Sequence, residues 1–355
     1  MPQIDTLLKT AVQYRASDVH LASGSSIIMR QFGRLRKVKS AELSPETVRN
    51  LIYEILSAEQ RRVLESGLQL DFSYEIGEVG RFRGNAILQR KGLDATFRII
   101  PPAVPTVDRL GLPPVVKKLC DLHQGLLLVT GATGQGKSTT LAAMIDHINS
   151  NRRDHILTVE DPIEFVHPVK RSIVSQRQLA LHTRSFANAL RAALREDPDV
   201  IMVGELRDLE SISLAITAAE TGHLVMGTLA TSSGPKTVDR IIDSFPAAEQ
   251  NQIRAMLADT LRGVVTQRLV PNKGWSGLVL ATEILLGTLP IANLIRSQKT
   301  FQIRSAMTTS RGLGMQLLDD NLMELYKADK ITPETAYEYA EHKTPFRDLI
   351  KQQQG

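Results

Sequence analysis

The chain has 355 residues, of which 42% are hydrophobic and 23% charged, a composition typical of a globular protein with more than one domain. No stretch approaches the roughly 18 apolar residues of a membrane span, the N-terminus does not resemble a secretory signal, and the single cysteine, Cys120, excludes an internal disulfide and a cysteine-rich zinc site. The N-terminus and the single cysteine together lead us to expect a cytoplasmic location. The formal net charge of +5 is too small to predict a nucleic-acid-binding stripe, so we expect no nucleic-acid partner.

The first hundred residues alternate helix and strand signals, which predicts an α+β domain over residues 1–100. The pair Ser44-Pro45 is typical of a helix start. Residues 81–89 alternate apolar and polar side chains and predict a strand, and residues 94–100 predict its partner. Three arginines on these two strands are candidate site residues: Arg81, Arg83 and Arg98.

Five prolines between residues 101 and 114 cannot hold a helix, so we predict a connector over residues 101–116. Beyond it, short apolar runs alternate with helical stretches, which predicts an α/β domain with a covered parallel sheet over residues 117–285. The predicted strands of this sheet are 125–130, 156–159, 200–203 and 224–229. Leucines at helical spacing predict a helical region over residues 286–355.

Residues 131–139 (GATGQGKST) follow the predicted strand 125–130 and match the phosphate-loop pattern G-x-x-x-x-G-K-[ST]. Glycines in such a loop let backbone N–H groups approach phosphates, and the following helix adds a favourable dipole. We expect Lys137 to reach the β- and γ-phosphates of ATP and Ser138 to bind Mg²⁺. The candidate nucleotide-binding residues are Gly131, Ala132, Thr133, Gly134, Gln135, Gly136, Lys137, Ser138 and Thr139.

Carboxylates follow two of the predicted strands. The strand 200–203 is followed by Gly204, at the position where many nucleotide hydrolases have an aspartate, and then by Glu205. We expect Glu205 to polarise the attacking water. The strand 156–159 is followed by three acids: Glu160, Asp161 and Glu164. Because such close charges repel, a cation is their expected recipient, although a solvated acidic turn is the alternative.

The predicted Mg²⁺ ligands are Ser138, Glu160 and Glu205. Two further residues near the predicted strand ends complete the candidate catalytic set. Arg207 lies two residues after Glu205, and His223 precedes the strand 224–229. A lone histidine is more often structural than catalytic.

Four segments in fixed order resemble one protein family: residues 131–139, 160–164, 199–208 and 222–229. They are similar to the Walker A, Asp-box, Walker B and His-box elements of the type II/IV secretion ATPases and, within them, of the type IV pilus retraction (PilT) ATPases. The resemblance implies a PAS-like N-terminal domain, a RecA-like ATPase domain and a homohexamer. It also implies that arginines of the N-terminal domain, here Arg81, Arg83 and Arg98, complete the nucleotide site.

The function implied by this resemblance is a motor that hydrolyses ATP to drive pilus retraction and twitching motility. The implied partner is an inner-membrane pilus platform protein, which would hold the ring at the cytoplasmic face of that membrane. Pilus-extension and type II secretion ATPases generally carry a longer N-terminal region and a four-cysteine zinc module, so the single Cys120 favours the retraction branch.

The chain departs from the family pattern at two places. Ala230 stands where the His box usually has a second histidine, which predicts slow hydrolysis unless a hydroxyl of Thr228, Thr231 or Ser232 substitutes. Residues 290–297 differ from the family's retraction-associated motif at three of eight positions. Three alternatives therefore stay open: an accessory, PilU-like motor, a weakly hydrolysing regulatory ring, and a related secretion or DNA-transfer ATPase.

Overall fold

The computed structural model describes residues 2–354, and the chain divides into two compact units. The first unit runs to Ala103 and also includes Pro162–Val166, and the second comprises Val104–Asp161 and the chain from His167 onwards. The predicted connector over residues 101–116 is not irregular throughout. Val107 and Leu112 are buried in the core of the second unit, and a helix begins at Val115, because the apolar residues between the prolines pack.

The first unit is built on a six-stranded antiparallel sheet with the order β3-β2-β1-β6-β5-β4. Its strands are β1 (Asp18–Leu21), β2 (Ile28–Gln31), β3 (Arg34–Lys37), β4 (Gln69–Ile76), β5 (Gly80–Gln89) and β6 (Gly92–Ile100). Its helices are α1 (Gln3–Gln13), α2 (Pro45–Tyr53) and α3 (Ala58–Gly67).

Helix α2 begins as the sequence predicts, because the Ser44 hydroxyl accepts a hydrogen bond from the Thr47 N–H. The predicted strand pair is also confirmed as β5 and β6. Phe82 of β5 and Phe97 of β6 are fully buried on the apolar face of the sheet, which shares its core with α1, α2 and α3. The opposite face carries the polar residues of the same strands.

The second unit is built on a seven-stranded sheet with the order β13-β12-β7-β11-β10-β8-β9, parallel except for β13. Its strands are β7 (Gly125–Thr130), β8 (His155–Glu160), β9 (Ile173–Gln178), β10 (Val200–Val203), β11 (Leu224–Leu229), β12 (Leu261–Pro271) and β13 (Leu278–Leu286). Its helices are α4 (Val115–Cys120), α5 (Lys137–Asn151), α6 (Phe186–Ala193), α7 (Leu209–Glu220), α8 (Gly234–Asp243), α9 (Gln250–Thr260), α10 (Leu289–Arg296), α11 (Ile303–Thr309), α12 (Leu318–Lys327), α13 (Pro333–Tyr339) and α14 (Thr344–Gln354).

The central strands β7, β10 and β11 are buried at every position, as expected of parallel strands covered on both faces. Their bounds are those predicted from the sequence. One core cluster contains residues of α6, α7 and α9, and another contains residues of α4 and α5. The order of the strands places β11 between β7, which precedes the phosphate loop, and β10.

The predicted helical region at the C-terminus packs on the same sheet. Leu318, Leu322 and Leu325 of α12 form a buried cluster with Val270 of β12 and Ala281 of β13. These helices are therefore part of the second unit. Among the helices of residues 2–354, none is long and apolar enough to cross a membrane.

Candidate active site

The phosphate loop connects β7 to α5, and its backbone could be formed only by glycine at key positions. Gly131 has φ 148°, and a Cβ there would lie 2.6 Å from the carbonyl oxygen of Gln267. Gly136 precedes α5 in the left-handed conformation, and no described side chain caps the helix. The first N–H groups of α5 are therefore left for an anion.

Lys137 closes over the loop as the first residue of α5. Its ammonium group donates hydrogen bonds to the carbonyl oxygens of Gly131 (2.8 Å) and Ala132 (3.0 Å). Burial lowers the pKa of Lys137 below its usual value, and the negative charge of Glu205 acts in the opposite direction. The loop thus presents a cation and uncapped N–H groups, which are the donors that nucleotide phosphates require.

Strand β12 holds the loop through contacts that sequence reasoning missed. Gln135 accepts a 2.5 Å hydrogen bond on its side-chain oxygen from the Leu269 N–H, and its backbone carbonyl accepts one of 2.5 Å from the Gln267 amide. Gln135 occupies a position that the phosphate-loop pattern leaves free, and Gln267 lies more than 130 residues downstream. No local pattern could have identified this pair.

The register of the parallel strands shows which candidate residues lie at the same sheet edge. Thr130 of β7 pairs with Leu229 of β11, and Val203 of β10 pairs with Gly227 of β11 and with Val159 of β8. The carboxyl ends of β7, β11, β10 and β8 therefore form one edge. Since neighbouring strands are about 4.8 Å apart, the end of β10 lies about 10 Å from the phosphate loop.

Glu205 follows β10 at this edge and is paired with a neighbouring arginine. The Arg207 Nε donates to the Glu205 carboxylate at 2.7 Å, and both side chains are partly exposed. Lys137 follows the phosphate loop after β7, and Glu205 and Arg207 follow β10 at the same edge, where the negative charge of Glu205 raises the pKa of Lys137. Three candidate catalytic residues, Lys137, Glu205 and Arg207, thus belong to one edge of the sheet.

Glu160 ends β8 in a different environment. Its carboxylate accepts hydrogen bonds from the Thr158 hydroxyl (2.6 Å) and the Gln176 amide (3.0 Å), and the residue is buried. The backbone of Glu160 also approaches Gly204 so closely that a Cβ on Gly204 would lie 3.4 Å from the Glu160 Cα. A Cβ there would also lie 3.3 Å from the Val159 carbonyl oxygen, so a side chain at position 204 would require these backbone atoms to shift by a few tenths of an ångström.

Ala230 follows β11 at the same edge and is exposed. The hydroxyls that could substitute for the missing histidine have other partners. Thr228 donates to the Gly204 carbonyl (2.6 Å), the Thr231 hydroxyl bonds that of Thr237 (2.7 Å), and the Ser232 hydroxyl accepts from Lys236 (3.3 Å). Of the three, Thr228 is also buried.

His223 lies at the other edge of the sheet. It precedes β11, and its carbonyl accepts from the N–H of Gly125, the first residue of β7, six residues before the phosphate loop. Its ring Nδ1 is 2.9 Å from the Ala218 carbonyl. A residue that precedes a parallel strand lies opposite to the carboxyl edge, so the structure does not bring His223 together with the phosphate loop of the same chain; its catalytic role stays a prediction.

The other two predicted acids, Asp161 and Glu164, belong to different units of the chain. Asp161 is exposed directly after β8, whereas Glu164 lies in the segment Pro162–Val166, which belongs to the first unit. Glu160, Asp161 and Glu205 are consequently the predicted acids that share a unit with the phosphate loop.

The three candidate arginines share the polar face of the sheet in the first unit. Arg83 of β5 lies directly opposite Arg98 of β6, and Arg98 lies opposite Asp18 of β1. The Arg98 Nε donates to the Asp18 carboxylate at 3.0 Å, whereas no described residue forms a hydrogen bond or ion pair with Arg83. Arg81 is 3.9 Å from the Glu75 carboxylate. Like charges directly opposite each other destabilise a sheet, so Arg83 and Arg98 favour an added anion.

The side chains at the carboxyl edge fit a magnesium ion that is shared with a nucleotide. Among the residues that the structure describes, no group of three His, Cys, Asp or Glu side chains could hold a metal. Mg²⁺ is usually bound by one or two carboxylates, substrate phosphates and water, which does not require such a group. Ser138, in the first turn of α5, and Glu160, held by two donors, have the required oxygen atoms.

The amino-acid sequence is similar to those of known proteins along nearly the whole chain. The chain is 49% identical to the type IV pilus retraction ATPase PilT of Pseudomonas aeruginosa over 95% of its length and 98% of that protein. It is 46% identical to a twitching motility protein of Neisseria gonorrhoeae over 95% of its length and 90% of that protein.

A crystal structure of the pilus retraction motor PilT with bound ADP superimposes with a TM-score of 0.86 at 46% identity, covering 96% of this chain and 97% of that one. This match confirms the predicted fold, in which an N-terminal domain precedes a RecA-like ATPase domain. Residues 1–311 match the model of the type II/IV secretion system protein family. On these grounds, the chain belongs to the type II/IV secretion system protein family.

Proposed function

We propose that this chain is an ATP-hydrolysing motor that powers retraction of a type IV pilus. The observation that carries the proposal is the single sheet edge at which the phosphate loop, Glu205 and Glu160 lie together. Similarity to pilus retraction ATPases over 95% of the chain supports the identity of the process that the motor drives.

Each residue of this edge has a distinct proposed role. The loop N–H groups and Lys137 bind the phosphates, and Lys137 exchanges its bonds to the Gly131 and Ala132 carbonyls for bonds to phosphate oxygens. Glu205 orients the attacking water and accepts its proton. Ser138 and Glu160 would hold Mg²⁺, directly or through water, and the ion would supply positive charge beside the phosphates.

The arginines of the first unit supply the second half of the proposed mechanism. Arg83 has no partner among the described residues and lies opposite Arg98, so a phosphate anion would relieve their mutual repulsion. We propose that these arginines engage the terminal phosphate of ATP when the ring of six subunits closes, as the family resemblance implies. Arginines of this kind contribute on the order of 10³–10⁵ to the rate of phosphoryl transfer.

The proposed assembly is a homohexamer at the cytoplasmic face of the inner membrane. There it would act on a membrane-embedded platform protein of the pilus and contact the membrane only through that partner. The modest net charge of +5 does not favour a nucleic-acid substrate.

Deletion of the gene tests the proposal. Cells without the protein should carry excess pili that do not retract, and twitching should be lost. Wild-type protein should restore twitching, whereas Lys137→Ala and Arg83→Ala should not, although both proteins accumulate. Cells without pili would instead indicate a role in pilus extension, and unaltered twitching would contradict the proposal.

A second candidate function is a ring that binds ATP and scarcely hydrolyses it. Ala230 favours this alternative, since the neighbouring hydroxyl of Thr228 is bonded to the Gly204 carbonyl. Steady-state ATP hydrolysis by the purified protein separates the two: a rate below about one turnover per hour would favour the regulatory ring, because enzymes typically turn over at about 1–10³ per second.

A further inference from the structure

Strand β12 lies between the phosphate loop and the C-terminal helices and contacts both. β7 ends at Thr130, where its pairing with β12 also ends, at Thr266. Beyond that point the edge of β12 that faces β7 has lost its partner strand, and its next N–H groups need other acceptors. The loop provides one of them.

The contacts between the loop and β12 are reciprocal. The Leu269 N–H donates to the side-chain oxygen of Gln135, and the Gln267 side-chain amide donates to the backbone carbonyl of Gln135. A Cβ on Gly136 would lie 3.3 Å from the Gln267 amide nitrogen and 3.7 Å from the Leu269 Cδ1. Gln267 and Leu269 therefore pack directly beneath the loop, on one face of β12.

Arg268, between these two residues, points to the opposite face because side chains alternate along a strand. It donates to the carbonyl oxygen of Tyr339, the last residue of α13, at 2.8 Å, and its guanidinium lies 3.9 Å from the Glu341 carboxylate. Three consecutive residues of β12 thus hold the phosphate loop on one side and the C-terminal helices on the other.

The C-terminal contact continues into a network of charged side chains. The N–H groups of Glu341 and His342 donate to the Asp319 carboxylate at 2.8 and 3.1 Å. Arg304 of α11 donates to the carboxylates of Glu341 and Asp319. This network therefore connects Arg268 of β12 to α11, to α12 and to the segment after α13.

We propose that residues 267–269 of β12 couple nucleotide occupancy of the phosphate loop to the packing of the C-terminal helices. Gln135 is a positioning residue in this linkage: it acts on bound nucleotide through the loop. The inference rests on the proposed function only in requiring that the loop bind ADP or ATP. Coupling is reciprocal, so ADP stabilises the C-terminal network, and the intact network strengthens the binding of ADP.

Hydrogen exchange of the purified full-length protein, with and without saturating ADP, tests this linkage. In the wild type, ADP should slow exchange of the Glu341 and His342 amides by about fivefold or more. Arg268→Ala should still bind ADP, about fivefold more weakly, and should lose the slowing. Arg262→Ala is the matched control, since Arg262 is also on β12 but bonds the Asp259 and Gln124 carbonyls; it should behave as the wild type.

Gln135→Met breaks the linkage at its other end, because it keeps the length of the side chain and removes the acceptor for the Leu269 N–H. It should also abolish the effect of ADP on the two amides, which keeps the test decisive if Arg268→Ala does not fold. Equal exchange with and without ADP in a wild-type protein that binds ADP would overturn the inference and leave the proposed function intact. A wild-type protein that does not bind ADP would overturn both.

Discussion

Glu160 ends β8 and Glu205 follows the neighbouring strand β10, yet the surroundings of the two acids differ. Glu160 is 8% exposed and accepts hydrogen bonds from the Thr158 hydroxyl and the Gln176 amide. The Glu205 side chain is 36% exposed and is paired with Arg207. A fixed, buried carboxylate suits a cation site, whereas an exposed carboxylate with a movable cationic partner suits an acid–base group. We therefore propose that the two acids have different roles in hydrolysis.

Substitution of Glu205 should have the largest effect. Glu205→Gln removes the proton acceptor and keeps the volume, so kcat for ATP hydrolysis should fall by about 10²–10⁴. The affinity for ADP, measured by fluorescence titration, should stay within about twofold of the wild type, because the loop N–H groups and Lys137 are unchanged. Glu220→Gln, at the exposed end of α7, is the control. Normal kcat in Glu205→Gln would remove Glu205 from the mechanism.

Ala230 lies at the end of β11, between the strands that carry the loop and Glu205. Ala230→His should raise kcat by about tenfold to a hundredfold, because it adds a donor at the carboxyl edge where hydroxyls are already engaged. Ala230→Leu, which adds volume without a donor, should not raise the rate. If steady-state hydrolysis is the same in all three proteins, the missing histidine does not limit turnover.

Substitution of Glu160 should act mainly on the metal. In Glu160→Gln, the Mg²⁺ concentration for half-maximal hydrolysis should rise by about tenfold, as expected when a metal-site carboxylate is neutralised. Thr158→Val removes one of the hydrogen bonds that hold Glu160 and should shift the Mg²⁺ dependence in the same direction by a smaller factor. An unchanged Mg²⁺ titration would show that Glu160 is structural.

A third carboxylate, Glu283 of β13, is buried and has a pKa that differs from the usual value of a glutamate. Burial raises its pKa to about 7, although the Gly234 N–H donates to it at 2.6 Å. The charge of Glu341 raises this pKa further, whereas the charges of Arg304 and Arg268 lower it. Because the folded protein retains this proton at a pH where the unfolded chain has lost it, the free energy of unfolding should fall as pH rises from about 4.5 to about 7.

Glu283→Gln keeps an oxygen acceptor for the Gly234 N–H and removes the titration. The fall in stability due to this group, on the order of 3 kcal/mol in the wild type, should be absent from urea unfolding curves of the variant across that pH range. The rate of ATP hydrolysis should change least of all in this variant. An equal pH dependence of stability in both proteins would show that Glu283 is ionised throughout.

The phosphate loop and the strands around it could be predicted from the sequence because their signals are local. A glycine-rich turn between an apolar strand and a helix determines its own backbone, and β7, β10 and β11 have the predicted bounds. The partners of the site residues could not be predicted, since Gln267 reaches Gln135, and Gln176 reaches Glu160, only through the order of the strands. Tertiary contacts of this kind leave no periodic pattern.

The position of His223 shows that a correct strand prediction does not by itself say which candidate residues lie at the same sheet edge. The strand that it precedes was predicted at Leu224–Leu229, and that is where β11 lies. In a parallel sheet, however, residues before a strand and residues after it lie at opposite edges, so His223 and Ala230 are separated by the length of β11, about 20 Å. Applying strand direction to each motif residue would have predicted this position of His223 from the sequence.

The division of labour between the two acids is tested most directly by one measurement: the Mg²⁺ dependence of ATP hydrolysis in Glu160→Gln and Glu205→Gln, measured side by side. If Glu160 serves the cation and Glu205 the attacking water, raising Mg²⁺ should recover most of the lost rate in Glu160→Gln and none of it in Glu205→Gln. Recovery of Glu205→Gln by Mg²⁺, with no recovery of Glu160→Gln, would contradict these assignments.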